Sequence, residues 1–396
     1  MHRPAIEGGK PVRDTALSFS PPDIRSCEIE RVTEVLKSGW ITRGKVCDEL
    51  ERDLASYTGA KHAVCLNSAT AGLFLSLKIA GVGEGGEVIT SPYTFAASAN
   101  VILHAGARPV FADVEEDSFQ ISPGEIEKSI TGYTRAIIPV HFGGHPADLG
   151  EIKNIAKKHN LLVIEDAAHA IGAEYGRRKI GSGDGICVFS FHAVKNVTTA
   201  EGGAVTTDDE DLIDKLKLYS LHGQTKDALS KLKSGGWKYD IAVPGYKFNL
   251  TDIQAAIGIE QLKRIDENQN KRKNIAQRYE NILRAFDFVR TPKVKEGMVS
   301  SWHLYPVLID FSRLKVDRDR LIESLTAENI SSNVHYIPVH LMSYYRETFG
   351  YKPEDFPVSY SLYLRELSLP IYPQMTEQDV NDVGEALCRL FQYYKK

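Results

Sequence analysis

The sequence predicts an α/β fold, with a large domain on a mostly parallel seven-stranded sheet between helices and a small C-terminal α+β domain. Two observations predict it. Short apolar runs rich in β-branched residues recur through the first half of the chain, and helix-patterned segments lie between several of them. Strands that alternate with helices in this way pair in parallel, because each crossover helix returns the chain to the same edge and covers a face. Further on, a long amphipathic stretch gives way to a mixed region of shorter elements, which places the domain division near residue 265, as 1–265 and 266–396.

HAVCL (62–66), EVIT (87–90), RPVFAD (108–113), AIIPV (136–140), LLVIED (161–166), ICVFSF (186–191) and GAVTT (203–207) are short, apolar and bounded by turn residues, as buried strands require. SATAGLFLSLKIA, PGEIEKSI and DLGEIKNIAKKHN between them read as helices. One long helix is expected from Asp252 to about Ala285, with Ile253, Ala256, Ile257 and Leu262 at helical spacing. In the C-terminal region SWHLYPVLID and SSNVHYIP read as strands, and DRDRLIESLTAE and EQDVNDVGEALCRLFQYY as helices.

Composition narrows the function classes. Of 396 residues, 42% are hydrophobic and 25% charged, the balance of an ordinary globular protein. A net charge of -4 speaks against nucleic-acid binding, which needs an excess of Lys and Arg on one face. No apolar run approaches the roughly 18 residues of a membrane span, and the first residues lack a signal-peptide core. Cys27, Cys47, Cys65, Cys187 and Cys388 are scattered without a CxxC pair. Neither a disulfide framework nor a metal site is expected, and a reducing cytoplasm is the expected compartment.

Two strand ends carry ionisable groups: Asp166 closes LLVIED, and Lys195 follows ICVFSF. Ligands of open α/β sheets sit at the carboxyl ends of the strands. The pair could be a plain salt bridge, but pyridoxal 5'-phosphate (PLP) chemistry asks for the same two groups and more. It needs a lysine to bond the cofactor aldehyde and a carboxylate to keep the pyridine nitrogen protonated. It also needs N–H groups at a helix start for the phosphate and an aromatic over the ring. Asn67-Ser68-Ala69-Thr70-Ala71-Gly72 opens a helix after the first strand, although Ser68 could be simply its N-cap. Ser190 offers a further hydroxyl, and the Pro92-Tyr93-Thr94-Phe95 turn offers an aromatic.

Taken together, EDAAHA, FSFHAVKNVTTAEGGA, NSATAG and GYKFNLTDIQAAIG resemble the DegT/StrS family of PLP-dependent sugar aminotransferases. The resemblance runs from SGWITRG (38–44) to LSLPIYPQMTEQDV (367–380), nearly the whole chain. It implies the fold type I aminotransferase architecture, with Lys195 as the Schiff-base lysine that is both nucleophile and general base, and Asp166 as partner of the ring nitrogen. It also implies His169 near the ring, Ala69, Thr70 and Ser190 at the phosphate, and Phe95 stacked on the ring. Trp40, Thr42, His335, Tyr336 and His340 would lie near the sugar nucleotide.

The same resemblance implies a homodimer whose sites are completed across the interface by Gly245–Asn249. Here Lys247 stands where many relatives carry Asn, and Gly44-Lys45 where relatives often have Gly-Pro. Lys247 and Asn249 would then serve the neighbouring cofactor phosphate. An extended segment would put Tyr246 and Phe248 on one face, to pack on a partner, and Lys247 and Asn249 on the other. L-glutamate is the implied donor. The implied acceptor is a nucleotide-linked keto sugar, aminated at carbon 4 of a UDP-sugar for polysaccharide or glycan synthesis. A non-catalytic PLP-binding regulator is the alternative. A nicotinamide oxidoreductase is a third reading, although no GxGxxG follows the first strand.

Overall fold

The computed structural model describes residues 3–183, 185–226 and 237–396. Among these, seven strands form the main sheet: β1 (His62–Leu66), β2 (Glu87–Thr90), β3 (Arg108–Phe111), β4 (Thr134–Ile138), β5 (Leu162–Asp166), β6 (Ile186–Ser190) and β7 (Gly203–Thr207). Their spatial order is β1-β7-β6-β5-β4-β2-β3. The pairs from β6 to β3 are parallel, whereas β7 runs antiparallel to both β1 and β6. All strands but β7 therefore point their carboxyl ends to one edge.

The strands are apolar on both faces because both faces are covered. Along β1, Val64 and Leu66 join one core, with α3 (Ala69–Ile79), α4 (Ala97–His104) and α7 (Glu210–Ser220). The alternate residues Ala63 and Cys65 join another, with α2 (Lys45–Thr58) and α8 (Asp252–Lys263). The period of two in a strand divides the faces in this way. On the second face, farther along the sheet, Ile137 of β4 packs with α5 (Pro123–Ser129) and α6 (Leu149–His159). Leu73, Leu75 and Leu77 of α3 are almost fully buried, and burial of each such side chain stabilises the fold by about 2 kcal/mol.

The helix expected from Asp252 to Ala285 is two helices, α8 and α9 (Ile265–Leu283), broken at Arg264. There the backbone turns to φ -106°, ψ 5°, and the Arg264 N–H reaches only three residues back, to the Gln261 carbonyl at 3.2 Å. The Arg264 guanidinium is drawn instead to Glu28 of α1 (Ser26–Ser38). At the other end of α8, the Asp252 carboxylate accepts the N–H groups of Gly44 (2.7 Å) and Cys47 (3.0 Å), which fastens the 38–44 loop and the start of α2 to this helix.

In the C-terminal region, β8 (Val289–Arg290), β9 (Tyr305–Ile309) and β10 (Glu366–Leu369) form a small antiparallel sheet. It packs with α9, α10 (Arg318–Ala327) and α11 (Glu377–Tyr394) through Tyr305, Leu321, Leu325, Leu387 and Phe391. Leu17 of the N-terminal arm is buried in this same cluster and pairs with Ile330. SSNVHYIP is not a strand. Only Asn333 bridges Ser368; the Val334 N–H turns back to the Asn333 side chain at 2.8 Å, and the His335 N–H goes to the Glu366 carboxylate at 2.9 Å rather than to a backbone carbonyl, so the ladder stops. Among the described residues, no helix is long and apolar enough to cross a membrane.

Candidate active site

The parallel strands deliver their chemistry to one edge. Asp166 is the last residue of β5, and Ser190 the last of β6. Lys195 lies in the loop between β6 and β7, Ser68 at the end of the β1–α3 turn, and Phe95 in the turn before α4. These residues converge on a cavity of about 300 Å³, lined by Ser68, Ala69, Thr70, Phe95, Asp166, His169, Ser190, Lys195 and Tyr336, with Thr94, His192 and Glu201 among the rest. A second hollow of about 370 Å³, beside Arg43, Glu51 and Lys217, contains none of the expected cofactor residues.

The β6–β7 loop is pinned at both ends. The Phe191 N–H donates to the Gly202 carbonyl (2.8 Å), and the Thr199 N–H to the Phe191 carbonyl (2.9 Å). Burial pushes the Lys195 amine down to about 8, against the opposing pull of Asp166. At neutral pH a useful share of it, about a tenth, is the free nucleophile. Asp166 is buried, and desolvation raises its carboxyl above the usual range. Four things oppose that rise: the Ser98 hydroxyl donating to Oδ2 at 2.7 Å, the Ala168 N–H donating to Oδ1 at 3.2 Å, the charge of Lys195, and His141.

His169 is oriented by two bonds. The Gly143 N–H donates to Nδ1 (3.2 Å), so Nε2 carries the hydrogen and donates to the Tyr336 hydroxyl oxygen at 3.2 Å. Burial, with Lys195 nearby, holds this imidazole well below its ordinary value, so it is neutral. His303 lies behind it, with ring centroids 4.4 Å apart. Phe95 is 63% exposed at the rim, and its ring lies 6.0 Å from that of Tyr336.

At the start of α3 the Ser68 hydroxyl accepts the Ala71 N–H (3.1 Å), and Ser68 also lines the cavity. It is therefore both the N-cap and a wall residue. The first-turn N–H groups of a helix have no partner within it and form an anion site. Gly203 allows β7 to pass against this turn. A Cβ there would lie 2.4 Å from the Ala69 nitrogen and 2.8 Å from the Phe189 carbonyl oxygen.

Other expected residues lie away from the cavity of this single chain. Lys247 is exposed and donates to the Asn249 side chain at 2.5 Å. That segment runs beside the end of β1, where the Asn67 N–H donates to the Phe248 carbonyl at 2.7 Å. Tyr246 and Phe248 do share a face, as alternation requires, but they stack on each other and edge onto Phe74 of the same chain's α3. Within the chain, α3 offers these two half-buried rings an apolar surface. Trp40 donates to the Arg43 carbonyl, and the Thr42 carbonyl accepts the Asp252 N–H, both in the loop before α2. His335 stands one residue behind the wall, stacked on Phe19. His340 is fully buried against Phe356 and does not reach the cavity.

Sequence reasoning missed Thr94, Ser98, His192 and Glu201. His192 and Glu201 flank Lys195 within the FSFHAVKNVTTAEGGA segment. Thr94 and Ser98 are spaced by four residues, which brings their hydroxyls together once the turn enters α4.

Known proteins are similar to this chain in sequence and in overall fold. The sequence profile of the DegT/DnrJ/EryC1/StrS aminotransferase family matches residues 22–388. The chain is 47% identical over 377 residues to the spore coat polysaccharide biosynthesis protein SpsC of Bacillus subtilis, covering 95% of this chain and 97% of SpsC. Among solved structures, the PLP form of the putative sugar aminotransferase Spr1654 from Streptococcus pneumoniae matches with a TM-score of 0.89 and 36% identity, over 96% of this chain and 99% of that one. DesI, solved in the presence of its TDP-sugar product, matches with a TM-score of 0.86 and 31% identity, over 97% and 95% of the two chains.

Gly203 yields a direct test of the helix-start anion site. Gly203→Ala is expected to push α3 off β7 and weaken PLP binding about tenfold or more, since overpacking at such a contact costs 1–3 kcal/mol. Fluorescence titration of the apoprotein with PLP, alongside circular dichroism, reads it. Unchanged affinity in a folded variant would place the phosphate elsewhere.

Proposed function

The chain belongs to the DegT/DnrJ/EryC1/StrS aminotransferase family, matched over residues 22–388, and on that premise we propose that it transfers an amino group from L-glutamate to a nucleotide-linked keto sugar. It is a PLP-dependent sugar aminotransferase by family. Our finer reading places the new amine at carbon 4 of a UDP-sugar, on a route to a cell-surface polysaccharide or glycan. The observation that carries the reading is the enclosure of Lys195 and Asp166 in one cavity, beside a helix start and an open rim.

The residues fit the cofactor. Lys195 would hold it covalently, Asp166 would face its ring nitrogen, the start of α3 with Ser190 would take its phosphate, and Phe95 would cover its ring. When bound, PLP supplies the electron sink that makes a proton on the donor's α-carbon removable. Lys195 has two tasks, as nucleophile and then, once released, as the base that carries that proton at Nζ. Its lowered basicity suits both, because the free amine is present near neutrality and its conjugate acid can return the proton. Asp166 accepts hydrogen bonds from the Ser98 hydroxyl and the Ala168 N–H beside that work. His169 and Tyr336 form a neutral hydrogen-bonded pair that can orient a substrate hydroxyl without adding charge.

Three points support the acceptor class. SpsC is named for spore coat polysaccharide biosynthesis, and DesI was solved with a TDP-sugar product. The exposed Phe95 and the apolar Val194 at the rim leave room for a large acceptor above the lysine. A panel of keto-sugar nucleotides, with glutamate as donor and NMR of the product, tests the reading. A UDP-sugar with its amine on carbon 4 is expected. Amination at carbon 3 would overturn the regiochemistry, and turnover only with free keto sugars would overturn the acceptor class.

We infer a homodimer with shared sites. Tyr246 and Phe248 are held by the chain's own α3, which turns Lys247 and Asn249 outward, where a cation and an amide can meet the phosphate of a neighbouring site. A mixed dimer of Lys195→Ala with a Lys247→Ala/Asn249→Ala chain is expected to regain activity that neither parent dimer has, because one of its two sites then holds every group. Mixed dimers that assemble and remain inactive would assign both residues to their own chain's surface.

A further inference from the structure

Two hydroxyl side chains stand in line from Asp166. The Ser98 hydroxyl lies 2.7 Å from Asp166 Oδ2, and the Thr94 hydroxyl lies 2.8 Å from the Ser98 hydroxyl. Thr94 and Ser98 are 2% and 1% exposed, so water does not compete for either oxygen. An ionised carboxylate only accepts, which fixes the direction: Ser98 donates to Asp166, and Thr94, left without a closer acceptor, donates to Ser98. The two residues sit on consecutive turns around the start of α4, and Thr94 also lines the cavity.

We propose that Thr94 and Ser98 form a hydroxyl relay that positions the Asp166 carboxylate and keeps the proton it shares with the cofactor on the ring nitrogen. The inference rests on the reading of Asp166 as the partner of that nitrogen. The proton in such a pair lies between two bases, and it stays on nitrogen only while the carboxylate is the weaker of them. Burial makes Asp166 more basic and therefore works against this. Each hydrogen bond donated to the carboxylate makes it less basic, and a donor whose own oxygen accepts another hydrogen bond is polarised to donate more strongly. The charged and titratable groups that face Asp166 are Lys195 from the β6–β7 loop, His141 after β4, Cys187 on β6 and Tyr336 from the C-terminal region. None of these donates a hydrogen bond to either carboxylate oxygen, whereas Ser98 and the Ala168 N–H do.

The test uses the holoenzyme loaded with nitrogen-15-labelled PLP, whose ring-nitrogen chemical shift reports where the proton lies. Ser98→Ala is expected to move that shift toward the unprotonated value, by about tenfold in the protonation ratio, with a similar fall in kcat. A hydrogen bond to a charged group has about this weight. Cofactor affinity should stay within about twofold, since the phosphate site is untouched. Thr94→Val, which does not touch the carboxylate, should act in the same direction but less, and Thr94→Ser and Ser98→Thr should restore the wild-type shift. If Ser98→Ala does not fold, Thr94→Val carries the test alone. A wild-type nitrogen shift in both hydroxyl-deleting variants overturns the relay. Asp166→Asn separates the two ideas. If it moves the shift while they do not, only the relay fails. If it leaves the shift in place, Asp166 is not the nitrogen's partner, and both readings fall.

Discussion

The site depends on burying an amine and a carboxylate in one cavity. Desolvation disfavours the charge of each, and neither alone could be kept ionised cheaply in an apolar wall. Together they compensate in part, and the residue of that conflict sets the chemistry. Lys195 is left near pH 8, where its free form is accessible, while Asp166 is held as an acceptor by Ser98 and the Ala168 N–H. The backbone imposes the proximity. β5 and β6 are hydrogen-bonded neighbours, with Asp166 directly across from Val188, and the chain leaving β6 must turn over the edge where β5 ends.

The reversed strand β7 is the second structural condition. It lies between β1 and β6 and runs back against both, so its first residue, Gly203, meets Leu66 at the end of β1 and Ser190 at the end of β6. That single register ties the helix start after β1 to the lysine loop after β6. Leu66 and Ser190 lead into Ser68 and Lys195 respectively, so two parts of the site far apart in sequence are fixed by one strand. The close approach also explains why a residue without a side chain stands at this point.

The main sheet was legible because its strands are short, apolar and covered on both faces. Each of the seven runs read from the sequence is a strand, with ends shifted by at most two residues, as at LLVIED and AIIPV. Periodicity could not reveal the break at Arg264, because α8 and α9 keep a helical pattern across it. SSNVHYIP misled as well. Its composition suits a strand, but the Glu366 side chain takes the hydrogen bond that a strand would need. In the cavity, groups that end strands or open helices were visible one at a time. Ser98 was not, because its role appears only when α4 stands beside the end of β5.

Lys195, and no other amine, is the group this cavity was built to present. Borohydride reduction of the purified holoenzyme fixes the cofactor permanently to whichever lysine holds it, and peptide mass spectrometry then locates the tag. That assignment puts the tag on Lys195, in the peptide that follows the β6 strand end. A tag on any other lysine, Lys247 included, with Lys195 unmodified, would contradict it.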